Sequence, residues 1–392
     1  MDLPKTETAV VYTAVKESAE AGRLLGEEIA ATLKGGLPDV VILFVSPQYE
    51  VATLVGCVEK SCGAKLIVGC SSAGEFTSET QGEGQACAVA IRSSQLEFAA
   101  GIGRGIGADR QKAAQEMVAN FRGIKEVSSD YCAALVLTDA LAGHADELIE
   151  ELTMITGGNH QFFGGGAGDD ANFRRTQVFC GKEIATDAAV ALEIISQKPI
   201  GIGVRHGWTP ATAPMRVTES NASVLVSLNA TPILEVFQEH ATKTGQKFDV
   251  QDPLPFFLHN ILGIETDAGY KLRVPLAINP DGAVVCAAEI PRGAAVCIMS
   301  TDFDSARNAA ASATRAAIDQ LHGNQPTVAL FFDCVATRLR MGKKFDSELD
   351  ALRDILGPTQ FAGCNTYGQV ARTEGQFSGF HNCTAVVCVL PA

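Results

Sequence analysis

The chain is poor in charge and in aromatic residues, and it has no long apolar run. Charged residues make up 19% of its 392 residues, against about a quarter in average proteins. No window approaches the roughly 18 consecutive apolar residues of a membrane span. Basic residues are also scarce, since 31 Lys and Arg against 45 Asp and Glu give a formal net charge of −14. This composition disfavours nucleic acid as a partner and predicts no insertion into membranes.

Cysteine pairs and an export signal are missing as well. The 12 cysteines are scattered from Cys57 to Cys388 without a C-x-x-C pair, which disfavours a zinc site and predicts reduced, buried thiols. Residues 1–7 carry acids and a proline, where a secretory signal would have a basic and then an apolar stretch. We therefore expect a cytoplasmic protein.

A repeated unit is the main positive feature of the sequence. Each copy has an apolar strand, an amphipathic helix, a second strand and a Gly-rich turn, which is typical of sheets covered by helices. The first strands of the copies are residues 40–45, 133–137 and 328–332, and the Gly-rich turns are residues 69–75, 164–170 and 363–369. This pattern predicts an α/β fold of mixed β-sheets flanked by helices.

The first and third turns are closely similar in sequence. Residues 69–75 and 363–369 share the pattern Gly-Cys, two polar residues, any residue, Gly and then Glu or Gln. A hydrophobic content of 46% and a length of 392 residues support two or three packed domains. We predict two related domains, residues 1–212 and 213–392, divided at a Pro- and Thr-rich stretch.

Several ordered segments resemble the FIST family, named for F-box and intracellular signal transduction proteins. The segments are residues 69–75, 164–170 and 203–208 for the N-terminal FIST domain, and residues 365–372 and 381–384 for the C-terminal one. The resemblance implies a sensory module that binds a small ligand such as an amino acid. Some stand-alone members resemble nitric-oxide sensors that hold haem and act on a histidine kinase. The chain departs from the family at Gln369, where a Glu is usual.

The Gly-rich turns are the candidate ligand site. Turns at strand ends let the backbone approach a ligand, and free N–H groups there can hold an anionic oxygen. Acidic side chains together with an arginine would suit a zwitterion such as an amino acid. The turns line either one cleft or two symmetric ones, or the glycines only make tight turns and the charges pair with each other. The candidate residues are Cys70, Ser71, Ser72, Gly74, Glu75, Gly165, Gly166, Asp169, Asn365, Thr366, Tyr367, Gln369 and Arg372.

An enzyme of the acyl-transfer class is the competing hypothesis. Residues 69–73 approach the nucleophile elbow G-x-S-x-G, with Cys70 or Ser71 as nucleophile, but end in alanine. Residues 103–108 fit the dinucleotide pattern G-x-G-x-x-A, which arises easily in a chain with 38 glycines. No Walker A sequence and no H-E-x-x-H is present.

The family resemblance implies haem as a cofactor. Haem needs an axial imidazole in an apolar pocket. His206 lies beside Trp208, and His259 follows the apolar residues 256–258. We take His206 and His259 as the candidate iron ligands. The chain has no room for an output domain, so we expect a separate signalling partner such as a histidine kinase. The sequence is compatible with a homo-oligomer and does not determine the oligomeric state.

Overall fold

The computed structural model describes residues 6–124, 131–373 and 378–392. Within them the chain forms three six-stranded sheets and a fourth, larger sheet. The α/β fold with mixed sheets and flanking helices is therefore confirmed. In the described part of the chain, no helix is both long and apolar enough to cross a bilayer.

The three six-stranded sheets draw their strands from distant parts of the chain. Sheet 1 contains β1 (Thr6–Thr13), β2 (Val40–Val45), β3 (Ile67–Ser71), β6 (Ala86–Ser93), β10 (Val178–Cys180) and β11 (Glu183–Ala185). Sheet 2 contains β7 (Leu96–Arg104), β8 (Tyr131–Thr138), β9 (His160–Gly166), β12 (Ala188–Ser196), β25 (Gln369–Arg372) and β26 (Ser378–His381). Sheet 3 contains β4 (Glu75–Thr77), β5 (Gln81–Gly82), β13 (Gly201–Arg205), β23 (Pro326–Cys334), β24 (Phe361–Thr366) and β27 (Ala385–Pro391).

The same strand order recurs in all three sheets. It is β1-β6-β2-β3-β10-β11 in sheet 1, β7-β12-β8-β9-β25-β26 in sheet 2 and β13-β27-β23-β24-β4-β5 in sheet 3. The two middle strands of each sheet are parallel, and their outer neighbours are antiparallel to them. The three units read from the sequence are thus three topologically equivalent sheets.

Each unit passes the strand after its Gly-rich turn to another unit. Strand β4 leaves the first unit and pairs with β24 of the third. Strand β25 leaves the third unit and pairs with β9 of the second, and β10 leaves the second and pairs with β3 of the first. This cyclic exchange interlocks the units and brings the three turns together. Both predicted halves contribute strands to sheets 2 and 3; the division after residue 212 stays a prediction.

The inner faces of the three sheets share one apolar core, and helices cover the outer faces. Phe332 of sheet 3 meets Phe44 of sheet 1 and Phe163 of sheet 2, with ring centroids 5.6 and 6.3 Å apart. The helices are α1 (Ser18–Thr32) and α2 (Val51–Cys62) on sheet 1, α3 (Arg110–Val118) and α4 (Ala145–Ile155) on sheet 2, and α7 (Phe303–Asp319) and α9 (Asp346–Leu356) on sheet 3.

Helix α2 shows why these segments become helices at these positions. Leu54, Val55 and Val58 form the buried stripe predicted from their spacing. The Glu50 side chain accepts hydrogen bonds from the first N–H groups, and Gly63 ends the helix in the left-handed conformation with φ 67°. Local capping and the apolar stripe therefore agree on the same boundaries.

An insertion between β13 and α7 forms the fourth sheet, whose strand pairs are antiparallel. Arg273 is buried and its guanidinium contacts Asp146 of α4, which also binds Lys271 at 2.9 Å. These ion pairs attach the insertion to the second unit. Its elements are β14 (Thr209–Pro210), β15 (Met215–Asn221), β16 (Val224–Leu228), β17 (Thr231–Pro232), α5 (Ile233–Thr244), α6 (Leu254–Phe257), β18 (Ile261–Thr266), β19 (Gly269–Arg273), β20 (Pro275–Ile278), β21 (Val284–Cys286) and β22 (Ala295–Ser300).

The helical segment of the third unit is divided. A short helix, α8 (Val335–Met341), follows β23 directly, and a 3₁₀ turn (Gly342–Phe345) leads into α9. Because α8 begins where β23 ends, it lies at the same edge of the sheets as the Gly-rich turns. Its side chains can therefore reach the turns.

Candidate functional site

The three turns contact one another through backbone hydrogen bonds. We call residues 72–74 turn 1, residues 167–177 turn 2 and residues 367–368 turn 3. Turn 1 meets the end of β24, which leads into turn 3, at junction A, where the Ala73 N–H donates to the Asn365 carbonyl at 2.9 Å. Turn 2 meets the end of β3, which leads into turn 1, at junction B, where the Gly168 N–H donates to the Ser71 carbonyl at 2.9 Å. The three Gly-rich turns therefore lie together at one edge of the sheets.

Junction B is filled by its own polar groups. The Ser71 hydroxyl accepts a hydrogen bond from the Gln177 N–H at 2.9 Å. Asp169 accepts the N–H groups of residues 173–175 at 2.7 to 2.8 Å and the Tyr367 hydroxyl. The exception is Asp170, which binds the Ser46 hydroxyl with one oxygen and leaves its other oxygen without a partner. Asp169 therefore serves to fold turn 2 back on itself.

Junction C, between turns 2 and 3, is also filled. The Gly166 N–H donates to the Gly368 carbonyl at 2.8 Å. The buried Gln369 amide donates to the Thr366 hydroxyl at 2.8 Å and accepts the Thr384 N–H at 3.2 Å. A side chain on Gly165 would collide with Thr366 and with the Gly368 carbonyl. Both hydrogen-bonding functions of the Gln369 amide are used inside the protein.

Junction A instead opens into a cleft of about 340 Å³, which charged side chains line together with apolar ones. Asn365 is 1% exposed, lines the cleft and has a side-chain NH₂ group without a partner. The Nε of Arg338 on α8 is likewise buried without a partner, although the guanidinium also contacts Glu83 at the rim. The lining residues are Glu75, Phe76, Gln81, Gly82, Glu83, Arg338, Leu339, Gly342, Lys343, Phe345 and Asn365.

Gly74 keeps the space between these donors open. Its φ is 130°, in a region that side-chain-bearing residues rarely adopt. A Cβ at this position would lie 2.9 Å from the Asn365 Oδ1 and 3.4 Å from the Arg338 Nε. Gly74 is therefore required both by the backbone conformation of turn 1 and by the space that the cleft needs.

Glu75 is the acidic wall of the cleft and is 1% exposed. Burial raises the pKa of Glu75 to about 8, outweighing the Ser72 hydroxyl, the Gln85 N–H and the Arg338 charge, which all favour the ionised form. Its two oxygens accept hydrogen bonds from Ser72 and from the Gln85 N–H, the latter at 3.0 Å. The ionisation of this carboxyl is thereby moved from the acid range toward neutral pH.

The structure places the other predicted site residues away from the cleft. Arg372 lies at the far end of β25, opposite Phe162, and its guanidinium donates to the carbonyls of Gly158 and His160 at 3.1 and 2.7 Å. It cannot supply the cation of a site at the turns. Arg338, which sequence reasoning missed, lines the cleft instead. The sequence does contain one signal for Arg338. It lies just after the carboxyl end of β23, the apolar strand that begins the third unit.

The surroundings of Cys70 and Ser71 do not resemble those of a nucleophile. Cys70 is fully buried in the core shared by the three sheets. The hydrogen bond that the Ser71 hydroxyl makes is the one from the Gln177 N–H. In the dinucleotide-like segment, Gly103 lies within β7, and a Cβ there would meet the Ala113 carbonyl at 2.0 Å. That glycine permits close packing of α3.

The two histidines proposed for haem do not fit an axial ligand. The His206 ring accepts the Trp208 N–H at 3.3 Å and bonds to the Tyr270 backbone, which engages the imidazole within the protein. His259 is exposed at the surface, whereas a haem ligand lies inside an apolar pocket. Five of the best-formed clefts among the described residues have no histidine in their lining. The same residues contain no cluster of three or more side chains suited to a metal ion.

Solved structures show only a distant likeness. Cyanuric acid hydrolase from A. caulinodans is 7% identical, with a TM-score of 0.34 over 98% of this chain and 99% of that one. A second cyanuric acid hydrolase, described as an innovation by structural concatenation, is 10% identical, with a TM-score of 0.35 over 99% and 100% of the two chains. Similarity this low does not indicate a shared activity. No protein of curated function shows a significant match.

Two family models match most of the chain in consecutive blocks. The FIST N domain model matches residues 39–231, and the FIST C domain model matches residues 234–372. The first block contains turns 1 and 2, and the second contains turn 3 with Arg338 and Asn365. The chain therefore belongs to the FIST family, whose domains are associated with the sensing of small ligands in signal transduction.

Proposed function

We propose that the protein is a cytoplasmic sensor that binds a small polar ligand in the junction A cleft, without converting it. The observation that carries this proposal is the pair of buried donors without partners, the Asn365 NH₂ group and the Arg338 Nε. An unpaired buried donor costs about 1–3 kcal/mol. A ligand that accepts both hydrogen bonds would remove that cost, which favours binding at this place.

The charges of the cleft favour a zwitterion such as an amino acid. Arg338 and Asn365 together suit a ligand carboxylate, because a guanidinium and an amide both donate to oxygen. Glu75 and Glu83 also line the cleft, Glu83 in contact with the Arg338 guanidinium, and their carboxylates suit an ammonium group. The volume of about 340 Å³ is near the lower end of small-molecule sites, which begin at about 300 Å³. The expected ligand is therefore no larger than an amino acid or a similar polar metabolite.

The position of the cleft suits a signalling role. Glu75 and Gly74 belong to the first unit, whereas Arg338 and Asn365 belong to the third. A ligand held by both units would favour one relative position of α8 and turn 1, and so shift the population of that state. The signal would pass to a separate partner such as a histidine kinase. Autophosphorylation of such a kinase, measured with and without the protein and its ligand, tests this step.

Ligand binding is tested by thermal unfolding against a panel of amino acids and related zwitterions at millimolar concentration. Because ligand stabilises the native state by RT ln(1 + [L]/Kd), about 100-fold saturation should raise stability by roughly 2.7 kcal/mol. We expect a shift from at least one zwitterion and none from its amide or methyl ester, which keeps the ammonium group and lacks the carboxylate. If no member of the panel shifts the unfolding curve, the amino-acid proposal fails.

A further inference from the structure

A second cleft lies beside α8 and is lined almost wholly by apolar side chains. One wall belongs to the three-sheet body and includes Val335 and Tyr367, and the other belongs to the insertion and includes Leu254 and Val274. The volume of this cleft is about 60 Å³, which leaves room for roughly two or three methyl-sized groups. The cleft therefore suits the end of one apolar side chain rather than a whole polar metabolite.

Three large apolar side chains are exposed around this cleft. Leu141, Phe173 and Leu339 are 42, 39 and 40% exposed, and all three line the cleft. Exposed apolar side chains that gather at one place mark interaction surfaces, whereas single ones are ordinary. We call these three side chains and the cleft between them the apolar surface. The other exposed large apolar side chains of the described residues lie outside this cleft and are Val15, Leu37, Tyr131 and Met154.

Turn 2 holds Phe173 at the apolar surface against the preference of its backbone. The φ of Phe173 is 53°, in the left-handed region that bulky residues rarely adopt. The Asp169 carboxylate accepts the Phe173 N–H at 2.8 Å, and the Phe173 ring stacks on the Tyr367 ring with centroids 4.4 Å apart. The polar groups that fill junction B thus fix an aromatic ring at the surface.

Unpaired cations lie next to the apolar surface. Arg174 and Arg175 follow Phe173, are exposed, and have their N–H groups held by Asp169 at 2.7 and 2.8 Å. Lys343 is exposed as well and lines the junction A cleft together with Leu339. None of these three cations forms an ion pair with the described residues. In a chain with a net charge of −14, such a place complements an acidic partner.

We propose that the apolar surface is the docking site of a partner protein, which inserts one apolar side chain from an acidic segment. The anchor enters the cleft, as buried anchors do at protein interfaces, and the carboxylates of the segment lie near the cations of turn 2 and α8. A partner acid on the side of the insertion would instead meet the exposed Asp252. The acids of the segment therefore belong on the side of turn 2.

The apolar surface adjoins the site of the proposed ligand. Leu339 lines both the apolar cleft and the junction A cleft, so a docked partner would contact the same helix as the ligand. As the place where a sensor meets its partner, the inference rests on the proposed function, whereas docking itself needs no ligand. Binding of a zwitterion without binding of an acidic peptide would contradict only the docking proposal.

The test is selection of random peptides, displayed on phage, against the native protein without any ligand. Peptides that also bind Leu141→Asp are removed, because that variant places a like charge at the mouth of the cleft. We expect the remaining peptides to be acidic and to share one leucine, isoleucine, methionine or phenylalanine. Basic or wholly polar peptides would overturn the proposal, as would the loss of every peptide at the removal step. Should Leu141→Asp fail to fold, Phe173→Ser takes its place.

Matched variants then identify what binds the most enriched peptide, with fluorescence anisotropy as the measurement. Leu141→Asp should weaken binding at least about tenfold, whereas Leu37→Asp, at an exposed site outside the cleft, should not. Arg174→Glu should weaken binding about three- to tenfold and reduce its dependence on salt. Arg315→Glu makes the same change of charge at an exposed position of α7 and should leave both unchanged. Equal effects within either pair would overturn the proposal.

Sedimentation of the native protein separates such a partner from a second copy of this chain. We expect a monomer, or an oligomer that is the same in Leu141→Asp. An oligomer that dissociates in Leu141→Asp would assign the apolar surface to contacts between copies and would overturn the proposal.

Discussion

Junctions A and C have equivalent backbones and different side chains. Glu75 begins the exchanged strand at junction A and pairs with Cys364, whereas Gln369 begins the exchanged strand at junction C and pairs with Gly165. The Gln369 amide both donates and accepts, so its neighbours are satisfied. The Glu75 oxygens are taken by the Ser72 hydroxyl and the Gln85 N–H, and the Asn365 NH₂ group and the Arg338 Nε beside them stay unpaired. The two junctions thus share a backbone arrangement and differ in whether their buried side chains are satisfied.

The largest effect on stability and binding is expected for Gly74→Val at the open junction A. A valine would have to adopt φ near 130° and would crowd Asn365 and Arg338. Such strained positions cost about 1–3 kcal/mol even before steric overlap, so we expect a loss of about 3 kcal/mol in the free energy of unfolding. Binding of any zwitterion found in the panel should be abolished. Denaturant unfolding and calorimetry measure the two effects.

The control is Gly56→Ala, since a Cβ on that α2 glycine would meet no atom within 4 Å. Alanine is the better helix former by up to about 1 kcal/mol, so this variant should be stable and should bind as the wild type does. A Gly74→Val protein that still binds would show that the cleft is not the ligand site.

Glu75→Gln gives the junction A site the amide that closes junction C, and it should change the pH dependence of stability. The pKa of Glu75 is 4.5 when unfolded and about 8 when folded, so the native state holds a proton that the unfolded state releases within this window. The stability from this proton is complete below pH 4.5 and is lost as pH rises toward 8. The loss is at most about 1.4 kcal/mol per pH unit.

The measurement is the difference in unfolding free energy between Glu75→Gln and the wild type at pH 5, 6.5 and 8. We expect the unfolding free energy of Glu75→Gln, relative to that of the wild type, to rise from pH 5 to pH 6.5 and again to pH 8. Glu239→Gln is the control, because Lys243 lowers the pKa of Glu239. The ionisation of Glu239 therefore changes stability only at acidic pH, below the range of this experiment. The wild type should also bind a zwitterion more tightly at pH 8 than at pH 6, since Glu75 ionises. A flat difference would mean that Glu75 is not held in its neutral form.

Arg338→Met and Arg372→Met compare the arginine selected by the structure with the one selected by the sequence. Loss of a charge-assisted hydrogen bond to a ligand carboxylate costs about 1.5–3 kcal/mol, so Arg338→Met should weaken binding by about 10- to 100-fold. Arg372→Met should leave affinity unchanged, because that guanidinium binds the Gly158 and His160 carbonyls. Calorimetry with the zwitterion found in the panel measures both. The reverse order of effects would place the site elsewhere.

The smallest effect is expected at the closed junction B. Ser71→Ala removes the hydroxyl that accepts the Gln177 N–H, and water can replace it in part because Gln177 is half-buried. We expect a loss of about 1 kcal/mol in unfolding free energy and no change in ligand affinity. Equal loss of affinity in Ser71→Ala and Arg338→Met would show that junctions A and B act as one site.

Much of the fold could be predicted because it depends on local pattern. The apolar strands, the amphipathic helices and the Gly-rich turns were found where spacing placed them, as with Leu54, Val55 and Val58 in α2. Of the predicted site residues, Gly74, Glu75 and Asn365 come together in the cleft. Arg372 does not join them, because the direction and length of β25 carry it away from the turns. Contacts between distant parts of the chain decide which buried polar side chains find hydrogen-bond partners. A local sequence pattern does not contain these contacts.

The sequence by itself determined three strand–helix–strand units and the glycines at their turns, because hydrophobic periodicity and backbone freedom act over a few residues. Only the tertiary structure decided that β4 joins β24 across nearly 290 positions of the chain and that α8 brings Arg338 beside Gly74. The reason is that pairing between distant strands is chosen by the packing of three sheets around one core. The open junction is a product of that packing.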